Sequence, residues 1–245
     1  MTQGLRARTA FLVGLCVAFT VLFSALGLWQ VQRRAWKLEL IAQVERRIHA
    51  TPTAAPGPAA WANLSQASDA YCRVRLTGVY DHGRETLVQA VTDLGPGFWV
   101  MTPLRADNGV TVLVNRGFTP TARKRPETRS AGQIQGLVTI VGLLRLSEPR
   151  GGFLRRNLPG EERWYSRDVA AIAQAKGLSG VAPYFVDADA TPNPGGWPRG
   201  GLTVVRFPNS HLIYALTWFG LALLTGGAAV YVLADARRTR VGGAE

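Results

Sequence analysis

The chain has 245 residues, a formal net charge of +12 and 47% hydrophobic residues. This length accommodates one large domain or two small ones. The excess arginine is scattered and is not interleaved with aromatic residues, so it does not indicate a nucleic-acid surface; proximity to anionic lipid head groups explains it better. The two cysteines, Cys16 and Cys72, lack the CxxC or CxxCH spacing of redox, zinc or covalent haem sites.

Two apolar blocks, residues 10–28 and 212–233, contain no Lys, Arg, Asp or Glu. As helices they would be about 28 Å and about 33 Å long, close to the hydrocarbon thickness of a bilayer, about 30 Å. We therefore predict one transmembrane helix near each end of the chain. A cleaved signal peptide is the alternative for the first block, because Arg6 and Arg8 precede it and Ala25-Leu26-Gly27 resembles a cleavage site. The block is longer than a usual signal sequence and continues into a helical pattern, which favours a membrane span.

The basic residues of the two tails predict the orientation. Arg6 and Arg8 precede the first block, and Arg237, Arg238 and Arg240 follow the second. Short basic flanks stay in the cytoplasm, whereas long loops cross the membrane regardless of their charge. We expect both tails to be cytoplasmic and the region between the blocks to be periplasmic, although basic residues also follow the first block. Only nine residues precede that block, which leaves no room for a transit peptide and favours a bacterial inner membrane.

Alternating apolar and polar residues predict a mainly β domain over residues 71–210. Asp107-Asn108-Gly109 lies between two apolar runs and predicts a hairpin. Residues 166–176 predict one short helix, with Ser166 as its N-cap. The predicted strands are 73–80, 85–91, 98–105, 110–114, 137–146, 184–186 and 202–206.

The predicted fold class is a membrane protein in which two transmembrane α-helices flank one α+β, mainly β, extramembrane domain. Residues 29–70 are predicted to continue the first helix and then form a Pro/Ala/Gly linker. The predicted segments are a tail at 1–9, a transmembrane helix at 10–28, the extension and linker at 29–70, the domain at 71–210, a transmembrane helix at 211–233 and a tail at 234–245.

Pairs of small residues four positions apart predict where the two spans touch. Gly14 and Ala18 form such a pair in the first block, and Ala222 and Gly226 form one in the second. Small residues let transmembrane helices approach closely. We therefore predict that the helices pack through these two faces.

His211 stands at the start of the second block, behind Asn209 and Ser210, either of which can cap a helix. The positive end of the helix dipole disfavours imidazolium, and the neutral imidazole is the form that binds metals. Tyr214 and Trp218 follow at i+3 and i+7, on the same helical face. From the residues alone, an interfacial histidine that binds no ligand is the stronger of two explanations.

Catalytic signatures are missing from the sequence. It contains no GxSxG, no HExxH and no glycine-rich phosphate loop. We therefore expect a protein that is not an enzyme.

Three segments, in this order, closely resemble the surfeit locus family of cytochrome c oxidase assembly factors. They are LGLWQVQRRAWK at 26–37, PLRADNGVTVLVNRGF at 103–118 and NSHLIYALTWFG at 209–220. The shorter stretches GVYDH, PETRSAGQIQG and WYSRD are also similar to that family. Arg116 lies in the second segment, and a structural role, with its side chain bonded to backbone carbonyls near a glycine bulge, is the first explanation for it.

The resemblance implies an inner-membrane factor that helps to assemble cytochrome c oxidase. For bacterial relatives it also implies transient binding of haem a, with His211 as a ligand of the haem iron. The partners it implies are the core subunit of the oxidase, haem A synthase and membrane lipids, with no nucleic acid. A membrane scaffold that stabilises assembly intermediates without a cofactor is the alternative.

A haem beside His211 would extend the predicted site to neighbouring residues. Trp29 is expected to cover the macrocycle, and Arg33 or Arg206 to bond a propionate, because arginine binds carboxylates bidentately. The cofactor-binding residues predicted in this way are His211, Tyr214, Trp218, Trp29, Arg33 and Arg206.

Reporter fusions test the predicted orientation. Fusions after Leu5 and after Ala236 should report a cytoplasmic location, and a fusion near Gly160 a periplasmic one, because the basic tails stay inside. The activity of a periplasm-specific reporter and the fluorescence of a cytoplasm-specific one measure the two locations. A cytoplasmic signal from the Gly160 fusion would contradict the orientation.

Overall fold

A computed structural model of the chain describes residues 2–152, 155–203, 205 and 207–241. The chain forms two compact units, one built from Met1–Ala42 and Arg206–Glu245 and the other from Gln43–Val205. The helices are α1 (Thr2–His49), α2 (Val169–Ala175) and α3 (His211–Val241), and the strands are β1 (Thr53–Ala54), β2 (Arg73–Tyr80), β3 (Thr86–Thr92), β4 (Gly95–Ala106), β5 (Thr111–Pro120), β6 (Leu137–Leu146) and β7 (Val181–Ala188).

Two helices, over Ala7–His49 and His211–Thr239, are long and apolar enough to cross a membrane. Helix α1 has 48 residues, which makes it about 72 Å long. A bilayer core of about 30 Å takes up less than half of that length, so α1 continues well past the apolar block. These two terminal helices flank a β-rich central domain, which confirms the predicted fold class.

Helices α1 and α3 pack against each other in antiparallel directions. Ala215, Ala222 and Ala229 are buried and recur every seven residues along α3, which is the spacing of a coiled-coil seam. The contacts run in opposite directions along the two helices: the Oγ1 atoms of Thr20 and Thr225 lie 2.9 Å apart, the rings of Phe23 and Trp218 stack at 5.6 Å, and Gly27 lies against Phe219.

The predicted contact face is correct on α3 and wrong on α1. Ala222 lies in the seam, and Gly226 lies beside the Thr20 side chain. Gly14 is exposed with open space around it, and Ala18 is exposed as well. The spacing of two small residues does not fix the side of the helix that meets a partner, because that depends on the heptad phase. The close approach on α1 occurs at Gly27, where an added Cβ would lie 2.6 Å from the Phe219 ring.

The domain between the helices is a seven-stranded sheet in the order β1-β2-β6-β7-β5-β4-β3. Strand β4 also pairs with β2, so that β2, β6, β7, β5 and β4 close into a barrel-like ring. The predicted hairpin is confirmed, since Arg105 pairs with Thr111 across the turn at 107–109. A closed ring leaves few unpaired strand edges.

Strands β5 and β7 are buried on both faces. Val112 and Val114 of β5 face the barrel interior with Val186 of β7. Leu113 and Phe185 face the opposite side, where they pack in one cluster with residues of α2. Successive strand residues point to opposite faces, so these two strands join an inner core to a second core under α2.

Two predicted elements differ from the structure. Helix α2 begins at Val169 with Asp168 as its N-cap, because the Asp168 carboxylate accepts from the Ala171 N–H at 3.2 Å; Ser166 is not the cap. The strand predicted at 202–206 is not formed at residues 202, 203 and 205, and residues 204 and 206 lie outside the described residues.

Arg116, in the middle of β5, is buried and connects three separate segments. Its guanidinium donates to the Gly132 carbonyl and, at 3.0 Å, to Oδ1 of Asn193. It also lies 4.8 Å from the centre of the Tyr80 ring. The next residue, Gly117, has φ +125°, and an added Cβ would collide with a neighbouring backbone carbonyl, so only glycine fits there. Arg116 therefore has the structural environment expected from the sequence.

The Gly27→Leu substitution should weaken the pairing of α1 and α3. The added side chain would collide with Phe219, and overpacking of this kind costs about 1–3 kcal/mol. The measurement is the cross-linked fraction of a Thr20→Cys/Thr225→Cys pair in a Cys16→Ser background, in membranes. Gly14→Leu is the control and should leave the fraction unchanged, because nothing surrounds Gly14. Equal cross-linked fractions in Gly27→Leu and Gly14→Leu would contradict the packing of Gly27 against α3.

The Arg116→Lys substitution should destabilise the domain. Both bonds come from Nη2 of the guanidinium, and lysine is shorter and has no planar group to lie over the Tyr80 ring. Its ammonium cannot take the position of Nη2, so a buried acceptor is left unsatisfied, at a cost of about 1–3 kcal/mol. The measurement is thermal unfolding of the full chain in detergent, followed through the β-sheet signal. Arg75→Lys, at an exposed position of β2, is the matched control. Equal midpoints of thermal unfolding for Arg116→Lys and Arg75→Lys would show that the contacts of Arg116 with the three segments do not stabilise the domain.

Candidate functional site

A backbone hydrogen bond, and not a side-chain cap, marks the start of α3. The Tyr214 N–H donates to the Ser210 carbonyl at 3.3 Å, which makes Ser210 the residue that precedes the helix. Within the described residues, neither Asn209 nor Ser210 bonds a helix N–H through its side chain, and Oδ1 of Asn209 is buried without a partner. His211 is therefore the first residue of the helix, at the end where N–H groups point outward.

The imidazole of His211 forms one hydrogen bond across the helix pair. Its Nδ1 lies 2.8 Å from Oε1 of Gln30 on α1. Gln30 is only 9% exposed, and His211 is half-buried. In the part of the chain that the structure describes, Nε2 of His211 has no hydrogen-bond partner. A ring nitrogen of this kind is the usual donor atom of a histidine that binds a metal.

The other predicted haem contacts are distributed around the two helices. Trp218 is half-buried and stacks on Phe23. Tyr214 and Trp29 are 55% and 54% exposed. The Arg33 guanidinium lies over the Trp36 ring, 4.3 Å from its centre.

The structure does not join these side chains to His211. Among the described residues, no hydrogen bond or ring contact links Tyr214, Trp29 or Arg33 to it. Arg206 lies outside the described residues. The haem contacts expected of all four residues therefore stay predictions.

Gln30 is the one hydrogen-bond partner of His211 among the described residues, and the sequence analysis did not select it. It lies in the LWQ part of the first family-like segment, between residues selected for other reasons. The sequence did contain a signal for Gln30, because Gln30 follows Gly27 by three positions and therefore lies on the same face of α1. The identity of its partner, 181 positions away in the chain, required the structure.

The domain contains a cleft of about 760 Å³ bordered by His82, Glu85 and other polar residues. His82 and Glu85 are already bonded to other groups of the domain. Nε2 of His82 lies 2.9 Å from the Ile134 carbonyl, and burial is the main cause that lowers the pKa of this imidazole. Glu85 forms a buried ion pair with Arg129. The described residues also include no group of three or more His, Cys, Asp or Glu side chains that would hold a metal ion.

A second charged network lies beside the inner core. Asp187 of β7 is buried and accepts from Asn115 at 2.7 Å, from Arg145 at 2.9 Å and from Arg167 at 3.0 Å. Burial by itself would raise the pKa of Glu148, but the hydrogen bonds and charge of Arg167, together with the charge of Arg145, hold this pKa below its usual value. These charges are paired within the domain, so the network stabilises the fold and presents no free acid or base.

Comparison with known proteins gives matches over most of the chain. The family model described as the SURF1 family matches residues 17–223. Surfeit locus protein 1 of Mus musculus is 41% identical over 217 residues, which cover 82% of this chain and 68% of the relative. Surfeit locus protein 1 of Homo sapiens is 38% identical over 234 residues, which cover 88% and 75%. A SURF1-like protein of Monosiga brevicollis is 38% identical over 215 residues, which cover 82% and 79%.

The matched region begins inside α1 and ends inside α3, so it includes part of each helix of the seam and the whole β-rich domain. It also includes Gln30 and His211. This extent and these identities agree with the resemblance found in the three sequence segments, and the chain belongs to the SURF1 family.

Proposed function

We propose that this protein assists the assembly of cytochrome c oxidase by binding haem a and delivering it to the core subunit of the oxidase. The observation that carries the proposal is the environment of His211. Its Nδ1 is bonded to Gln30, whereas its Nε2 has no partner among the described residues. Histidine is a common protein ligand of haem iron, which it binds through a nitrogen of its ring.

The position of His211 suits an amphipathic cofactor. Haem a has a largely apolar macrocycle, an isoprenoid tail and two charged propionates. His211 is the first residue of a helix that is long and apolar enough to cross a membrane. A group held there would have lipid or apolar helix surface on one side and water on the other, which matches the two ends of the molecule.

When bound, haem a would be cargo for an oxidase and not a reaction centre of this chain. His211 would hold the iron, Trp218 and Tyr214 would lie on the same helix, and Trp29 and Arg33 would contribute from α1. Arg33 already lies over an indole ring, and its guanidinium would bond a propionate. We propose no enzymatic step, because Glu85 and Asp187 are paired with arginines and His82 is bonded to a backbone carbonyl.

The cellular setting follows from the same proposal. The two apolar helices would be anchored in a bacterial inner membrane, with both tails in the cytoplasm and the β-rich domain in the periplasm. The proposed partners are the oxidase core subunit, haem A synthase as the source of the cofactor, and membrane lipids.

The His211→Ala substitution should abolish haem binding while the protein still inserts into the membrane, because the iron loses its ligand. The measurement is the absorbance spectrum of the protein purified after co-expression with haem A synthase. His49→Ala is the matched control, since His49 is exposed on the last turn of α1 and, in the described part of the chain, pairs with Glu45 alone. The control should keep the full haem spectrum.

Two outcomes would contradict the proposal. A full haem complement with an unshifted spectrum in His211→Ala would exclude His211 as the ligand. The second outcome is wild-type protein that takes up no haem but restores oxidase assembly in a strain that lacks this protein. That outcome would favour a cofactor-free scaffold that stabilises assembly intermediates.

A further inference from the structure

We propose that Gln30 is a positioning residue that sets the tautomer of His211. By accepting a hydrogen bond from Nδ1–H, it leaves the lone pair of the neutral ring on Nε2. The inference rests on the proposed function only for the identity of the ligand, haem iron. The tautomer itself can be measured without any cofactor.

The geometry gives the direction of the bond. Oε1 of Gln30 faces Nδ1 of His211 at 2.8 Å, a normal hydrogen-bond length. An amide oxygen only accepts, so the proton of this bond belongs to Nδ1. In a neutral imidazole the other nitrogen then has no proton. The described residues supply no donor to Nε2, so this nitrogen is available as a ligand.

Burial explains why the two side chains keep this arrangement. Gln30 is 9% exposed and lies in the seam, three positions after Gly27 and ten after Thr20, both of which contact α3. A buried amide without a hydrogen bond is costly, and no other hydrogen bond of the Gln30 side chain occurs within the described residues. Gln30 and His211 therefore hold each other, and the ring cannot rotate away without leaving the buried amide unsatisfied.

The bond changes what the histidine offers to a metal. In water a neutral histidine side chain favours the tautomer with the proton on Nε2, which would block that nitrogen. A hydrogen-bond acceptor at Nδ1 reverses this preference, orients the ring and leaves the lone pair on Nε2. Loss of such a partner typically lowers metal affinity about 10–100-fold.

The first test is the ¹⁵N spectrum of histidine-labelled, haem-free protein in detergent micelles. The chain has three histidines, so His211→Gln assigns the signals of His211 by difference. At a pH where the ring is neutral, we expect Nδ1 of His211 to be protonated and Nε2 to be unprotonated. In Gln30→Leu the proton should move to Nε2. A wild-type His211 with an unprotonated Nδ1 would overturn the inference.

The second test measures haem affinity in matched variants. Gln30→Leu removes the acceptor and should weaken haem binding about 10–100-fold, with the protein still inserted. Gln30→Glu keeps an acceptor of similar length and should retain both the Nδ1–H signal and the haem. Gln32→Leu is the control, because Gln32 is exposed on the same helix and has no hydrogen bond within the described residues.

The two proposals fail in different ways. If wild-type protein binds no haem but shows Nδ1–H at His211 and loses it in Gln30→Leu, the proposed function is wrong and the tautomer assignment stands. If wild-type protein binds haem through His211 and Gln30→Leu binds it with equal affinity, the positioning role is wrong. Equal losses in Gln30→Leu and Gln30→Glu would also overturn it, because the effect would then come from packing and not from the acceptor.

Discussion

The antiparallel seam between α1 and α3 is the constraint on which the candidate site depends. A seam that repeats every seven residues allows registers that differ by whole heptads, and contacts at Thr20, Phe23 and Gly27 select one of them here. That register places Gln30 opposite His211, where a buried amide and a half-buried imidazole satisfy each other. A shift by one turn would separate them and leave a polar group unpaired in an apolar seam, which is costly.

In the β-rich domain, buried charged side chains are paired within the fold. Its closed ring buries several charges, and each has partners within the domain: Arg116 bonds the Gly132 carbonyl, Arg129 pairs with Glu85, and Asp187 accepts from two arginines. Removal of one partner would leave an uncompensated buried charge, so these groups specify the fold. In the helical unit, Nε2 of His211 has no hydrogen-bond partner among the described residues, and the proposed binding role rests on this nitrogen.

The order of the secondary structure could be predicted because it depends on local patterns. Charge-free apolar blocks predicted the terminal helices, and Asp107-Asn108-Gly109 predicted the hairpin of β4 and β5, since the turn requires those residue types. The cap of α2 was misassigned because Ser166 and Asp168 both suit an N-cap, and only the backbone shows which of them faces the first turn. The seam residue of α1 was misassigned for a similar reason, since Gly14 and Gly27 differ in helical phase and not in type.

The sequence by itself determined the two apolar helices and the mainly β character of the region between them, because both depend on composition and period along one stretch of chain. His211 became the candidate ligand only through the resemblance of three segments to a known family. Only the tertiary structure decided the strand order, the closure of β2 on β4 and the pairing of Gln30 with His211. These features join residues far apart in the chain, and their energies come from burial and hydrogen-bond satisfaction after the segments have packed, which no local pattern encodes.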